Sequence, residues 1–203
     1  GGTEMTVDEI LKEYRRNEVF YRSGGITATG GEPLMQMPFL TALFTEAKKE
    51  GIHTCLDTSG IMYRPEKQEE YDRLFQALDL VLLDFKHSTE EEHKKLTARS
   101  QSHILEFARA LEKAEIPMIV RHVVVPGITD TPEHLLRLGR LIGGFRNLKG
   151  LEVLPYHTMG EVKYKKLGIE YPLAGLENLP PEKAKEARNI ILEGIRQIRT
   201  KKK

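Results

Sequence analysis

The sequence predicts an α/β protein with a parallel sheet, and two observations support this prediction. Short apolar or β-branched segments alternate repeatedly with helical patterns along the 203 residues, which is the order of strands joined by crossover helices. The segment Leu80–Leu83 is an unbroken apolar run, typical of a strand covered on both faces. A closed eight-unit barrel usually needs about 250 residues. We therefore expect one domain, residues 1–203, folded as an open, partial (β/α) barrel.

Capping signals and periodicity place the elements in order. Thr6 with Glu9 three residues later is a capping box that begins the first helix, which we expect to continue to about Val19. Further helices are predicted over residues 39–50, 66–77, 90–97, 102–115, 133–142 and 182–199, and strands over 26–29, 52–57, 80–83, 118–125 and 151–154. A loop-rich stretch is predicted over residues 158–180.

Composition excludes several classes of protein. Lys and Arg number 31 against 30 Asp and Glu, so no strong field favours nucleic acid or an anionic membrane. The sequence shows no apolar run long enough to span a membrane and no secretion signal. The single cysteine, Cys55, excludes an internal disulfide and fits a reducing cytoplasm. Within a predicted strand, Cys55 is expected to be a small buried hydrophobe rather than a nucleophile.

The stretch Gly30-Gly31-Glu32-Pro33 connects the strand at 26–29 to the following helix. Glycine tolerates positive φ and lets a ligand lie against bare backbone. We expect this turn at the carboxyl edge of the sheet, where α/β proteins bind small molecules, with Glu32 accepting hydrogen bonds from an ammonium group. An ordinary strand-to-helix turn with a solvated glutamate fits these residues equally well.

Charged and imidazole side chains recur at the carboxyl ends of the predicted strands. Because these ends share one edge of a parallel sheet, the side chains could converge on one pocket for a zwitterionic ligand with a sugar. Lys86 or Arg121 would take a carboxylate, and the acidic groups would take an ammonium and hydroxyls. The residues are Glu32, Asp57, Asp84, Lys86, Arg121 and His157.

Each of these residues also has a purely structural interpretation. Asp57 could cap the following turn, and Asp84 could pair with Lys86. Arg121 could extend to the edge of the sheet, and His157 could be an ordinary loop residue. The repetition at successive strand ends favours the binding interpretation. The remaining histidines show no zinc-site spacing such as HExxH; they are His53, His87, His93, His103, His122 and His134.

Four segments in the same order resemble the radical S-adenosylmethionine activating enzymes of glycyl-radical enzymes, whose fold is a partial (β/α)6 barrel. The segments are residues 26–34, 51–60, 123–127 and 154–157. The resemblance implies that Gly30, Gly31 and Glu32 form the family's GGE motif, which holds the methionine amino group. It implies cofactor and monovalent-cation contacts at Asp57, Asp84, Lys86, Ser88, Thr89 and Glu90. It also implies that Arg121 and His157 lie near the methionine carboxylate and the adenosyl group.

The sequence departs from that family at the iron–sulfur cluster. The family's CxxxCxxC loop supplies three thiolates to a [4Fe–4S] cluster, and no such loop occurs here. We therefore expect that the first strand and the cluster loop belong to a longer parent protein, and that this chain alone does not reduce S-adenosylmethionine. The resemblance implies that the parent generates a glycyl radical on pyruvate formate-lyase or a related enzyme, with a flavodoxin-type or ferredoxin-type reductant.

Two other functions remain open from the sequence. The absent cysteines fit a cofactor-free half-barrel that serves as a scaffold and binds a partner, although a scaffold has no need of Glu32 or His157. An aldolase-like enzyme using Asp84 and Lys86 is the third hypothesis, and a lysine adduct trapped by borohydride would identify it.

Overall fold

The computed structural model describes residues 2–20 and 24–201. Its strands are β1 (Gly25–Ala28), β2 (His53–Thr58), β3 (Leu80–Asp84), β4 (Met118–Val124) and β5 (Leu148–Pro155). Its helices are α1 (Val7–Arg16), α2 (Met37–Lys49), α3 (Gln68–Phe75), α4 (Glu90–Thr97), α5 (Ser102–Lys113), α6 (Pro132–Gly143), α7 (Glu161–Leu167) and α8 (Pro181–Thr200).

The strands form one parallel sheet in the order β1-β2-β3-β4-β5, with helices in the crossovers. Among the described residues β1 and β5 are the edges and the sheet is not closed. The predicted fold class is therefore confirmed. Over the same residues, no helix combines the length and the apolar character needed to cross a membrane.

The first helix begins as predicted but ends earlier. The Thr6 hydroxyl accepts a hydrogen bond from the Glu9 amide, and the Glu9 carboxylate accepts one from the Thr6 amide. Asn17 caps the carboxyl end of α1, and its side chain donates to the Glu13 carbonyl. A short 3-10 turn (Glu18–Phe20) follows, so the predicted extension of the helix to Val19 is wrong. The remaining link to the first strand, residues 21–23, lies outside the described part.

Two other predicted segments need correction. The predicted loop-rich stretch, residues 158–180, also contains a 3-10 turn (Thr158–Gly160) and α7. Gly168, at φ +66°, follows α7, and its amide donates to the Lys165 carbonyl. The strand predicted over 151–154 extends from Leu148 to Pro155, because its polar and glycine positions do not prevent backbone pairing.

The chain forms two compact units, of which the first contains Gly1–Asp84 and Ser102–Ile119. In this unit β1 pairs with β2, and β2 with β3. The Val81 amide donates to the Pro117 carbonyl beside the start of β4, at 3.0 Å. Aromatic rings fill part of the core at centroid distances of 4.8–6.1 Å. They are Tyr63, Tyr71, Phe75 and Phe107.

The second unit contains Phe85–Gln101 and Val120–Lys203. Its most extensive helix pairing is between α6 and α8, which approach each other at Gly139, Gly143 and Gly194. A Cβ atom at Gly139 would collide with the Ile191 carbonyl oxygen, and one at Gly194 with the Leu136 carbonyl oxygen. Glycine is required here because the two backbones leave no room for a side chain.

Candidate functional site

The turn after β1 borders open space. Gly30 has φ +119°, which glycine adopts without strain. A Cβ atom built on Gly30 or on Gly31 would meet no atom within 4 Å, and both residues are exposed. A ligand could therefore approach the backbone of both glycines.

Glu32 connects the ends of β1 and β2. Its Oε1 accepts hydrogen bonds from the Thr58 hydroxyl at 2.5 Å and from the Leu34 amide at 3.2 Å. Its Oε2 accepts from the Ser59 amide at 3.1 Å and from the Ser59 hydroxyl at 2.6 Å. A carboxylate offers about four acceptor positions, and protein donors occupy that number. An ammonium group would have to displace one of them.

Asp57 and Asp84 lie at the carboxyl ends of their strands, as predicted. Asp57 is the penultimate residue of β2, is half-buried, and accepts a hydrogen bond from the Thr29 hydroxyl at 3.0 Å. Asp84 is the last residue of β3 and is half-buried. Sequence reasoning selected Asp57 but missed Thr58 and Ser59. Thr58 and Ser59 directly follow the strand predicted over residues 52–57, and this position could have indicated that their hydroxyls contact Glu32.

The connection between β3 and α4 carries three of the predicted site residues, and a fourth, Glu90, begins α4. Burial alternates along it, so that Phe85 and His87 are buried and Lys86 is half-exposed. Ser88 is buried, and the Thr89 hydroxyl caps α4 by accepting from the Glu92 amide.

Glu90 stabilises its own helix start. Its carboxylate accepts hydrogen bonds from the Ser100 hydroxyl at 2.8 Å and the Gln101 amide at 2.7 Å, and it pairs with Lys94 at 3.0 Å. The hydrogen bonds from Ser100 and Lys94 lower the pKa of Glu90 to about 2. The carboxylate is exposed, so these contacts contribute little to stability.

The second unit contains four buried histidines that sequence reasoning did not select. Three of them, His87, His122 and His134, lie close together, and we call these three the histidine cluster. The ring centroids of His87 and His134 are 4.1 Å apart, and those of His122 and His134 are 5.3 Å apart. Burial lowers the pKa of His134 to about 3, helped by the nearby His122, His87 and Arg137. Burial also lowers the pKa of His87. Both rings are therefore neutral at pH 7.

Arg121 and His157 have different surroundings. Arg121 on β4 donates from Nε to Glu152 Oε2 on β5 at 2.6 Å. Glu152 was missed, although it lies in a predicted strand. His157 follows β5, is exposed, and precedes a 3-10 turn. The preceding Tyr156 is buried, and its hydroxyl lies 3.0 Å from that of Tyr171.

The structure brings the predicted residues together in separate groups. Glu32 and Asp57 both tie the end of β1 to the end of β2. Ser88 joins the histidine cluster through His134, and Arg121 pairs with Glu152. Convergence of all the predicted residues on one pocket stays a prediction.

Comparison with known proteins identifies the class. The family description Radical SAM superfamily matches residues 1–139, and the chain belongs to this superfamily. It is 45% identical over 188 residues to the pyruvate formate-lyase-activating enzyme of Staphylococcus epidermidis, covering 91% of this chain and 75% of that protein. It is 44% identical over 192 residues to the enzyme of that name from Streptococcus mutans, covering 93% of this chain and 73% of that protein. Within the superfamily it therefore belongs with the pyruvate formate-lyase-activating enzymes.

Solved structures agree on the fold. A domain of a pyruvate-formate lyase-activating enzyme from Bacteroides vulgatus superposes with a TM-score of 0.66 at 21% identity, covering 85% of this chain and 95% of that one. SuiB of Streptococcus suis, bound to precursor peptide SuiA, gives a TM-score of 0.66 at 13% identity. The match covers 97% of this chain and 40% of SuiB. These likenesses support the fold.

The superfamily implies two cofactors, and the residues of this chain fit only one of them. A [4Fe–4S] cluster needs thiolates, whereas Cys55 is the only cysteine and is buried in β2. Within residues 2–20 and 24–201, no group of three His, Cys, Asp or Glu is arranged to hold a metal ion. Gly30 and Gly31 border open space and follow Thr29, whose hydroxyl donates to Asp57, so this acidic edge fits the ammonium end of S-adenosylmethionine.

Proposed function

We propose that this chain binds S-adenosylmethionine and serves the activation of pyruvate formate-lyase or a related glycyl-radical enzyme. The observation that carries the proposal is the glycine turn after β1, which leaves backbone groups facing open space beside a carboxylate. The identity to activating enzymes along nearly the whole chain supports the same function. When bound and reduced by one electron from an external donor, S-adenosylmethionine would supply the chemistry that removes a hydrogen atom from the substrate.

In the first unit we assign binding to the turn and to Asp57. The backbone carbonyls at Gly30 and Gly31, together with the Asp57 carboxylate, accept hydrogen bonds from the methionine ammonium. Glu32 holds the turn in place through Thr58 and Ser59, because its acceptor positions are already occupied. This role differs from the direct contact expected from the sequence.

The contacts proposed for the second unit rest on the family resemblance. Lys86 takes the methionine carboxylate as a point charge, and Arg121 and His157 serve the carboxylate and the adenosyl group. The other assigned residues are Ser88, Thr89 and Glu90. A monovalent cation at Asp57 or Asp84 has no support among the described residues. The partner is a glycyl-radical enzyme, and a flavodoxin-type or ferredoxin-type protein supplies the electron.

Titration calorimetry with S-adenosylmethionine tests the binding. We expect Gly31→Val to keep the fold, because a Cβ atom there meets no protein atom within 4 Å, and to fill the space assigned to the ligand. We expect micromolar binding by the unmodified chain and at least about a tenfold loss in Gly31→Val, equal to about 1.4 kcal/mol. Gly2→Val is the matched control, since Gly2 is equally open and lies outside the turn. Equal affinity in all three proteins would remove the turn from the site.

A scaffold function is the second candidate, because Cys55 cannot ligate a cluster alone. Fusing this chain to the part of the Staphylococcus epidermidis relative that it does not match, followed by anaerobic reconstitution, separates the two. Binding of S-adenosylmethionine with release of 5′-deoxyadenosine under reduction supports the radical enzyme. A fusion that loads a cluster but neither binds nor cleaves S-adenosylmethionine would favour the scaffold.

A further inference from the structure

A directional chain of hydrogen bonds runs through the histidine cluster. His122 Nδ1 lies 2.7 Å from the Phe85 carbonyl oxygen, which can only accept, so His122 carries its proton on Nδ1. His122 Nε2 is then an acceptor, and it lies 3.4 Å from His134 Nε2, which must donate. His134 Nδ1 is left to accept from the Ser88 hydroxyl at 3.0 Å. We call this chain from Ser88 to Phe85 the histidine relay.

The relay is buried, and burial disfavours a charge on its rings. His122 is fully buried, and His134 and Ser88 are 5% and 8% exposed. Protonating His134 would put a second N–H on its Nδ1, so the Ser88 hydroxyl would have to turn and accept, and burial disfavours the charged ring, in agreement with its lowered pKa. Neutral rings with one proton each fix the direction of every bond. The relay therefore has one hydrogen-bonding arrangement.

Both ends of the relay lie in the same short connection between β3 and α4. One end holds the Phe85 carbonyl and the other holds the Ser88 hydroxyl, three residues apart. The Phe85 amide donates to the Arg121 carbonyl, and the Gln101 side chain donates to the His87 carbonyl. Among residues 85–88, Lys86 is the one residue that is not fully buried. The backbone on both sides of Lys86 is thus anchored.

We propose that His122 and His134 are positioning residues, which hold residues 85–88 in the conformation that presents the Lys86 ammonium to an anionic group of the ligand. This inference rests on the proposed function, in which that group is the methionine carboxylate. Preorganisation lowers the cost of binding because the segment need not be ordered by the ligand. Neither histidine touches the ligand.

Substitutions that imitate one ring nitrogen at a time test the proposal. His134→Asn keeps an acceptor near the position of Nδ1, and so keeps the bond to Ser88. His134→Gln instead keeps a donor near the position of Nε2 and loses that bond. A lost hydrogen bond of about 1 kcal/mol corresponds to roughly a fivefold change in affinity. We expect S-adenosylmethionine to bind His134→Asn within about twofold of the unmodified chain and His134→Gln at least about fivefold more weakly.

Two further measurements make the result specific. Long-range 1H–15N spectra of the full chain should show the proton of His122 on Nδ1 and that of His134 on Nε2, with or without ligand. His53→Gln, an exposed histidine on β2, is the control and should change neither affinity nor the other tautomers. The opposite tautomers, or an equal loss of affinity in both His134 variants, would overturn the proposal, because simple loss of packing does not distinguish the two nitrogens.

The outcome also separates this inference from the proposed function. If the unmodified chain does not bind S-adenosylmethionine, the proposed function fails. The positioning role is then tested by the rate of backbone amide hydrogen exchange at residues 86–88 in the two His134 variants. Exchange at least about tenfold faster in His134→Gln but not in His134→Asn would support it. Equal exchange in both variants would overturn it.

Discussion

At the scale of single residues, Glu32 illustrates how a carboxylate expected to meet a ligand can instead stabilise a turn. Four protein donors occupy its oxygens, three from the end of β2 and one from the 3-10 turn (Pro33–Gln36) that follows Glu32. Charge-assisted hydrogen bonds of this kind are stronger than neutral ones. Glu32 thereby links the turn after β1 to the end of β2.

Glu32→Gln should lower the free energy of unfolding by about 1–3 kcal/mol. Both carboxylate oxygens accept hydrogen bonds, and in glutamine one of them becomes an NH2 group, which would face a donor and could not accept. Urea denaturation followed by circular dichroism measures the change. Glu69→Gln, at an exposed position on α3, should stay within about 0.5 kcal/mol of the unmodified chain. Equal stability of the two variants would show that the Glu32 contacts are not formed in solution.

The lowered histidine pKa values make stability depend on pH. Unfolded histidine takes up a proton below pH 6.5, whereas His134 in the folded chain does so only near pH 3. Unfolding therefore binds a proton in this window, and the free energy of unfolding falls as the pH is lowered through it. The pKa values of His87 and His93 are lowered as well and add to the effect.

Between pH 7 and pH 5 we expect His134 alone to account for a loss of about 2 kcal/mol. Urea titrations at both pH values, repeated with His134→Asn, measure this contribution. The variant should lose about 2 kcal/mol less than the unmodified chain over the same interval. An identical pH dependence would mean that His134 titrates normally in the folded state.

At the scale of elements, the pairing of α6 with α8 depends on three glycines. Their backbones meet so closely that a Cβ atom at Gly139 or Gly194 would collide with a carbonyl oxygen of the facing helix. Glycine ordinarily weakens a helix by about 1 kcal/mol relative to alanine. Here the glycines let the α6 and α8 backbones approach closely, and the van der Waals attraction between the two helices outweighs the lost helix propensity.

Gly139→Ala and Gly194→Ala should each destabilise the chain by about 1–3 kcal/mol or more, although alanine is the better helix former. The measurement is the thermal midpoint by circular dichroism. Gly144→Ala is the matched control, because its Cβ would meet only the Leu141 carbonyl oxygen at 3.3 Å and its φ is −69°. If all three variants are equally stable, the helices are further apart in solution.

Local signals in the sequence were sufficient for the strands and most helix starts, but not for contacts between elements. The Thr6 capping box and the apolar run of β3 act within a few residues. The histidine relay could not be predicted, because Ser88 and His134 are 46 positions apart and meet only in the folded chain. The pairing of Arg121 with Glu152 was missed for the same reason. The turn after β1 was located correctly, but the role of Glu32 depended on hydroxyls that follow another strand.

At the scale of the whole molecule, neither compact unit is a continuous stretch of sequence. The chain passes from one unit to the other after residues 84, 101 and 119. Expressing one unit alone would therefore require joining separated segments. This connectivity is consistent with the prediction of a single domain over residues 1–203, which awaits an experimental test.

We expect the two units to unfold together. Hydrogen exchange measured by mass spectrometry at increasing urea should give the same midpoint for peptides from α2 in the first unit and α6 in the second, because a two-state domain unfolds in one transition. Phe107→Ala, which removes a fully buried ring, should lower both midpoints equally. Midpoints that separate in this variant would show two domains.

The buried position of Cys55 has a practical consequence. It is the only thiol in the sequence and is 6% exposed, so maleimide dyes and spin labels will react slowly with the native chain. A cysteine introduced on the surface can then be modified selectively without first removing Cys55. For the same reason, the brown colour of an iron–sulfur chromophore in the fusion protein would report on the added segment, against a nearly colourless background from this chain.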